Sequence, residues 1–360
     1  MFAESQWASH RYDLTLLTAT MAMAISACTS DVTPTGPSTG AQPELAAVKT
    51  YRAVDLGTLG GESSVARGIN AAGYVVGSSS TTPGGPEHAF LWVNGVMTDL
   101  GMLTSTGERS EALAINPAGQ VVGNASIGSA GGASHAFLWE KGVMTDLGTL
   151  GGCCSQAADI SPGGQVVGLA STAAGEVHGF LWQKGVMTDL GTLGGVRSEA
   201  AAINSKGQIV GNSQAANGEH HAVLWENGMI RDLGTLGGNY SAANGISPAG
   251  VVVGNSFAAD GEFHAFLWSK GSMIDLGAVP GLGTLATAIN PADQVVGSSF
   301  DLNAETVQGH ASLWAKAVMT DLVTLGGPSS IAFDINPAGQ IVGRSETIAG
   351  EHHATLWTRK

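Results

Sequence analysis

Histidine and aspartate recur eleven residues apart six times in this sequence: His88 with Asp99, His135 with Asp146, His178 with Asp189, His221 with Asp232, His264 with Asp275 and His310 with Asp321. A hydroxyl residue, Ser64, Ser110, Ser155, Ser198, Ser241, Thr284 or Ser330, stands five positions before each of seven repeated isoleucines. Serine, histidine and aspartate are the groups of nucleophilic hydrolysis, in which the imidazole takes the hydroxyl proton and the carboxylate orients the imidazole. Such a triad is one convergent site. A constellation repeated at fixed spacing reads instead as structure. The expectation is a buried network in every copy, with Asp accepting from the imidazole and the hydroxyl and the Trp N–H completing the set. A buried polar group left unpaired costs ~1–3 kcal/mol, so such networks come complete. In the first two copies the members are His88, Asp99, Ser110 and Trp92, then His135, Asp146, Ser155 and Trp139. Metal ligands must converge within ~2 Å of one ion, which histidines on separate copies do not do. No catalytic residue, metal or cofactor is assigned.

The elements that carry these residues repeat as well. Tryptophans 92, 139, 182, 225, 268, 314 and 357 are separated by 47, 43, 43, 43, 46 and 43 residues. They define seven units, numbered one to seven in that order. A period of about 40–45 residues with four strands per unit is the mark of a propeller blade. Asn70 to Gly73 and Asn116 to Gly119 are turn sequences joining the first and second strands. Asn94-Gly95, Lys141-Gly142, Lys184-Gly185, Asn227-Gly228 and Lys270-Gly271 are two-residue hairpin loops between the third and fourth. Lys316-Ala317 breaks this pattern, and Ala tolerates positive φ poorly, so that hairpin should be strained or differently shaped. With Asn94-Gly95 as the loop, Trp92 faces Met97 and Phe90 faces Asp99, which places His88 diagonal to Asp99. The repeat opens at residues 51–56 with a lone fourth strand and closes at 353–357 with a third strand lacking its fourth. Pairing these two leaves no open edge. The expected fold is therefore all-β: a seven-bladed β-propeller closed by pairing of the N-terminal strand with the last blade.

Function is sought where the copies differ. In a four-stranded meander the loops between strands two and three and between strands four and one share a rim. All length variation falls there, and insertions confined to one face often mark the binding face. The candidate rim residues are Glu108, Arg109, Asp301, Asn303 and Glu305, with an acidic fringe at Glu176, Glu219, Glu262 and Glu351. The first strands should line a central channel. One position is Ala in all seven copies, from Ala66 to Ala332, and the next two vary. These supply the channel candidates Arg67, Asp159, Asn244 and Asp334.

His-Ala-Phe at 88–90, 135–137 and 264–266, with Asp-Leu-Gly-Thr-Leu-Gly-Gly at 55–61, 146–152, 189–195 and 232–238, resembles the bacterial extracellular HAF-repeat family over residues 51–357. Other copies drift, with Gly179 in place of Ala and Val223, Ser312 and Thr355 in place of Phe. The resemblance implies export and a repeat fold, and it supplies no catalytic residues.

Residues 14–25 are an apolar segment too short to span a bilayer core, ending in Ile25-Ser26-Ala27-Cys28. That ending resembles the lipobox of bacterial lipoproteins, which implies lipidation of Cys28 and favours the outer membrane; simple cleavage without a lipid is the alternative. The domain plan is a signal peptide at 1–28, a Thr-, Pro-, Ser- and Gly-rich linker at 29–50 and one seven-repeat domain at 51–360. Only Cys153 and Cys154 remain beyond Cys28, as a vicinal disulfide or as two free thiols. The net charge of −14, without a Lys/Arg cluster, argues against nucleic acid and against direct adhesion to anionic lipid. The membrane is reached only through the lipid. The expectation is a monomeric cell-surface binding module whose partner is an unknown protein or glycan. A carbohydrate-active hydrolase or lyase at the channel mouth, with Asp159 and Asp334 as its carboxylates, and a passive structural repeat are the alternatives.

Overall fold

The computed structural model describes residues 51–128, 132–277, 282–301, 309–316 and 318–360. Cys28, the signal peptide, the linker, Asn303, Glu305 and Ala317 lie outside the described residues. Among the described residues every regular element is a strand, 28 in all. Unit one shows the plan, an antiparallel meander of Ser64–Ile69, Val75–Ser80, Glu87–Val93 and Val96–Asp99. The third–fourth hairpins turn through left-handed residues, Asn94 at φ 50° and Gly95 at φ 90° in unit one. Lys316 adopts φ 52°, as the lysines of the regular hairpins do. Asn70 closes the preceding turn by accepting from the N–H groups of Ala72 and Tyr74, both at 3.0 Å.

Hydrogen bonding divides the strands into five sheets. Four are four-stranded, and the fifth has twelve strands because single parallel pairs, Val177 with Arg197 and His220 with Tyr240, join three meanders. One four-stranded sheet is not contiguous in sequence. Tyr51–Asp55 pairs antiparallel with His352–Arg359, with Ala53 opposite Trp357 and Asp55 opposite Thr355. Tyr51–Asp55 thereby occupies in unit seven the place that Val96–Asp99 holds in unit one.

The apolar core lies between units. Val76 and Ala89 of unit one pack with Ala112, Val121 and Phe137 of unit two. Val342, Ala354 and Leu356 of unit seven pack with Ala66, Ile69, Val75 and Phe90 of unit one. One hydrogen bond recurs at seven such junctions. The hydroxyl on each first strand accepts the N–H that follows the repeated His in the preceding unit, as Ser110 does from Ala89 at 2.9 Å and Ser64 from Ala354 at 2.8 Å.

Each first strand carries a bulge just after its Ala. In unit one Ala66 pairs with Gly77 and Gly68 with Val76, leaving Arg67 without a partner. The skip recurs in every unit. A bulge bends the strand and re-aims the extra side chain. The Gly of the Val-Val-Gly segment allows it: a Cβ on Gly77 would overlap the Val65 carbonyl oxygen, and one on Gly211 that of Glu199. Gly211→Ala should therefore destabilise the fold by ~1–3 kcal/mol through overpacking. Urea denaturation checks this, and an unchanged midpoint would show that the close approach is relieved cheaply.

Candidate functional site

The repeated histidines and aspartates do meet. His Nδ1 lies 2.7–3.0 Å from an Asp carboxylate oxygen in all six sequence-local pairs. A seventh pair joins His353 to Asp55 at 2.8 Å across the two ends of the repeat region. An ionised carboxylate only accepts, so Nδ1 carries the proton. The other Asp oxygen accepts the N–H of a Gly two residues on, as from Gly101 to Asp99 at 2.7 Å. In three units Glu176, Glu219 and Glu351 approach the far ring nitrogen at 3.5–3.6 Å.

The expected four-member buried network is corrected on three counts. The Asp99 side chain is 41% exposed, so the pair stands at the surface. The Ser110 hydroxyl lies in the next unit and bridges backbone groups, accepting from Ala89 and donating to the Gly101 carbonyl at 2.6 Å. The indole sits four residues along the strand with Phe90 between it and His88, and where its N–H is bonded the acceptor is a backbone carbonyl: Leu190 for Trp225 and Val323 for Trp357. Ser, His and Asp therefore share no proton path. Among the described residues no three His, Cys, Asp or Glu side chains gather as metal ligands would.

The rim candidates do not converge. Arg109 is engaged by Glu87 of unit one, Nη2 to Oε2 at 2.6 Å, which makes it a clamp between units. Glu108 donates its backbone N–H to Ser126 and leaves its side chain exposed. Asp301 closes a strand in unit six, paired with Leu282, and unit six packs against units five and seven rather than unit two. Cys153 and Cys154 are both free thiols, one exposed and one buried, and burial pushes the Cys154 thiol up to about 11.

The channel candidates converge. All seven units contribute to one cavity of about 170 Å³, into which the bulges place Arg67, Asn244, Thr287 and Phe333, with Asp159 and Asp334 one position further on. Arg67 donates Nε to Glu111 of unit two at 2.8 Å and lies over the Phe333 ring of unit seven, 4.5 Å from its centroid. The two aspartates stand in units three and seven, and each is held by two backbone N–H groups. Asp334 accepts from Ile69 of unit one at 2.9 Å and from Ile335 at 2.7 Å. Asp159 accepts likewise from Ile203 and Ile160, at 2.8 and 2.7 Å. Burial pushes the Asp334 carboxyl above its ordinary range, while the two N–H groups pull it back. Asn244 donates to the Ala286 carbonyl at 2.8 Å, and the Thr287 hydroxyl lies 3.0 Å from the carbonyl oxygens of both Val296 and Ala332, between which its one proton is shared. Sequence reasoning missed Glu111, Thr287 and Phe333. The invariant Gly opposite each bulge was the available signal.

No protein-family profile matches the chain, and no curated protein does. Among solved structures, an acylaminoacyl peptidase from Pyrococcus horikoshii superposes with a TM-score of 0.53 at 8% identity, over 82% of this chain and 51% of the peptidase. A puromycin hydrolase gives 0.53 at 12% identity, over 87% of this chain and 55% of that one. TolB from Acinetobacter baumannii gives 0.44 at 14% identity, over 71% and 61%. The chain thus spans little more than half the length of these proteins. At such identities the likeness shows the fold alone, a β-propeller.

Two outcomes follow. Ser110→Ala should cost about 1–3 kcal/mol in urea unfolding, since it strands the buried Ala89 N–H; no loss would deny the hydroxyl its bridging role. The second concerns pH. The hydrogen bond to Asp321 raises the His310 pKa above 6.5, its charge adds to this and burial opposes it. A raised folded-state value means stability present below pH 6.5 and lost as pH rises through that value. Asp321→Asn should therefore lower the urea midpoint more at pH 5.5 than at pH 8.5, and an equal loss at both would contradict the coupling.

Proposed function

We propose that this chain is an exported, monomeric binding module, built as a closed seven-bladed β-propeller and holding a small ligand in its central cavity. Seven junctions with the same Ser-to-backbone hydrogen bond support the blade count. Tyr51–Asp55, seated as the fourth strand of unit seven, supports the closure. The resemblance to extracellular HAF-repeat proteins and the lipobox ending at Cys28 support export and a lipid anchor, with the domain held at the cell surface through residues 29–50.

One observation carries the binding reading. The seven units agree at the positions that pack and pair, and they disagree at the bulge positions, which face one shared cavity. Arg67, Leu113, Asn244, Thr287 and Phe333 all stand at that repeated place. A scaffold residue needs to be the same in every copy, whereas a ligand, which has no seven-fold symmetry, needs a wall that differs. The rim is the weaker site, because Arg109 is taken up by Glu87 and the other candidate, Asp301, stands in unit six, which packs against units five and seven.

Ligand-observed NMR on the purified protein with a panel of small polar compounds tests this. Amino acids, sugars, sugar acids, nucleosides and polyols form the panel. At least one class should show saturation transfer, and Ala201→Phe, which fills the cavity from its wall, should abolish it while the fold still melts cooperatively. No signal from any class, or a signal that survives Ala201→Phe, would overturn the assignment.

A further inference from the structure

We propose that the cavity is a receptor for a zwitterion of free α-amino-acid size, its carboxylate on Arg67 and its ammonium on Asp334; this rests on the central cavity being the binding site. Arg67 and Asp334 face the same cavity from adjacent units with opposite charge. They are not ion-paired to each other, and each is already held by something else. Arg67 spends Nε on Glu111 and lies over Phe333. Asp334 spends one lone pair of each oxygen on a backbone N–H. Their side chains are therefore fixed in place before any ligand arrives, which lowers the entropic cost of binding.

The part of each group left over fits a particular chemistry. With Nε engaged, the Nη1–Nη2 edge of Arg67 donates to no described protein atom, and that edge matches the two oxygens of a carboxylate. The Arg67 side chain is only 18% exposed, so hydrogen bonds made there are less screened than at the surface. The remaining lone pairs of the Asp334 carboxylate suit a cationic donor, and an ammonium would compensate the burial that disfavours its charged form.

Charge balance selects a zwitterion over a plain anion or cation. Arg67 is neutralised by Glu111, and the carboxyl groups of Asp159 and Asp334 line the same wall. A simple carboxylate brings a further negative charge toward both aspartates. A simple amine leaves the guanidinium fork without an acceptor. A molecule carrying an ammonium and a carboxylate on one carbon offers a partner to each group. The volume of about 170 Å³ accommodates a molecule of amino-acid size, and Leu113, Ile246 and Ile289 offer an apolar wall for a side chain.

Calorimetric titration of the unmodified protein with alanine, leucine and serine, beside propionate, propylammonium and glucuronate, decides the matter. At least one amino acid should bind, with propionate, propylammonium and glucuronate at least tenfold weaker. Arg67→Lys keeps the charge and loses the fork, and should weaken the amino acid at least tenfold while the melting transition persists. Equal or tighter binding of propionate, propylammonium or glucuronate would overturn the proposal. So would undiminished amino-acid binding by a folded Arg67→Lys protein. If amino acids fail while another class binds and Ala201→Phe abolishes it, the cavity assignment stands and the zwitterion does not. If nothing binds here and no class of the wider panel binds either, both fall.

Discussion

The structure depends on the pairing of Tyr51–Asp55 with His352–Arg359. A four-stranded meander buries little by itself, and each unit here finds its core in the next. Unit seven takes its outer strand from the other end of the repeat region, and unit one takes there the partner for its first strand. The same groups meet at that junction as elsewhere. Ser64 accepts from Ala354, His353 meets Asp55, Asp334 accepts from Ile69, and Asn336 donates to the Asn70 carbonyl at 3.1 Å. Bringing these residues together carries a loop-closure cost that grows only as the logarithm of the chain between them. One well-made junction among seven can offset it.

From that arrangement the cavity follows. First strands that meet around a shared space have little room for side chains, which is why the position at Ala66 is small in every unit. The Gly of each second strand lets the first strand bulge, and the bulge turns one extra side chain inward. Scaffold and site are thus separated within two adjacent positions: an Ala that packs, then a residue free to differ. The Arg67–Glu111–Phe333 contact spans units two, one and seven, so the most polar part of the wall lies against the junction that joins the two ends of the repeat region.

Much of this was legible in the sequence, and the failures have physical causes. The His–Asp contact followed from the Asn-Gly hairpin, because a two-residue turn fixes the register and the period of two fixes the face. The same logic misplaced Ser and Trp. The hydroxyl belongs to a neighbouring unit, and contacts between units leave no trace in the periodicity of either. Arg109 was read as a rim group for the same reason: its partner Glu87 stands on another unit. The channel residues were found from variation beside an invariant Ala. Glu111 precedes the bulge of its strand and was missed because its partner Arg67 stands on another unit, and Phe333, at the place that Arg67 holds in unit one, was missed because only polar residues were sought there. The seven units appear as five sheets, because two parallel residue pairs join strands that the sequence reads as belonging to separate units.

Hydrogen–deuterium exchange on the intact protein tests the central pairing most directly, by comparing the amides of residues 51–56 with those of the strand Ile341–Thr347. If the opening strand completes unit seven, its paired amides exchange as slowly as those of the inner strand and by the same cooperative opening. Rapid exchange across 51–56, with Ile341–Thr347 still protected, would show that the strand does not belong to the fold and that the two ends of the repeat region do not meet.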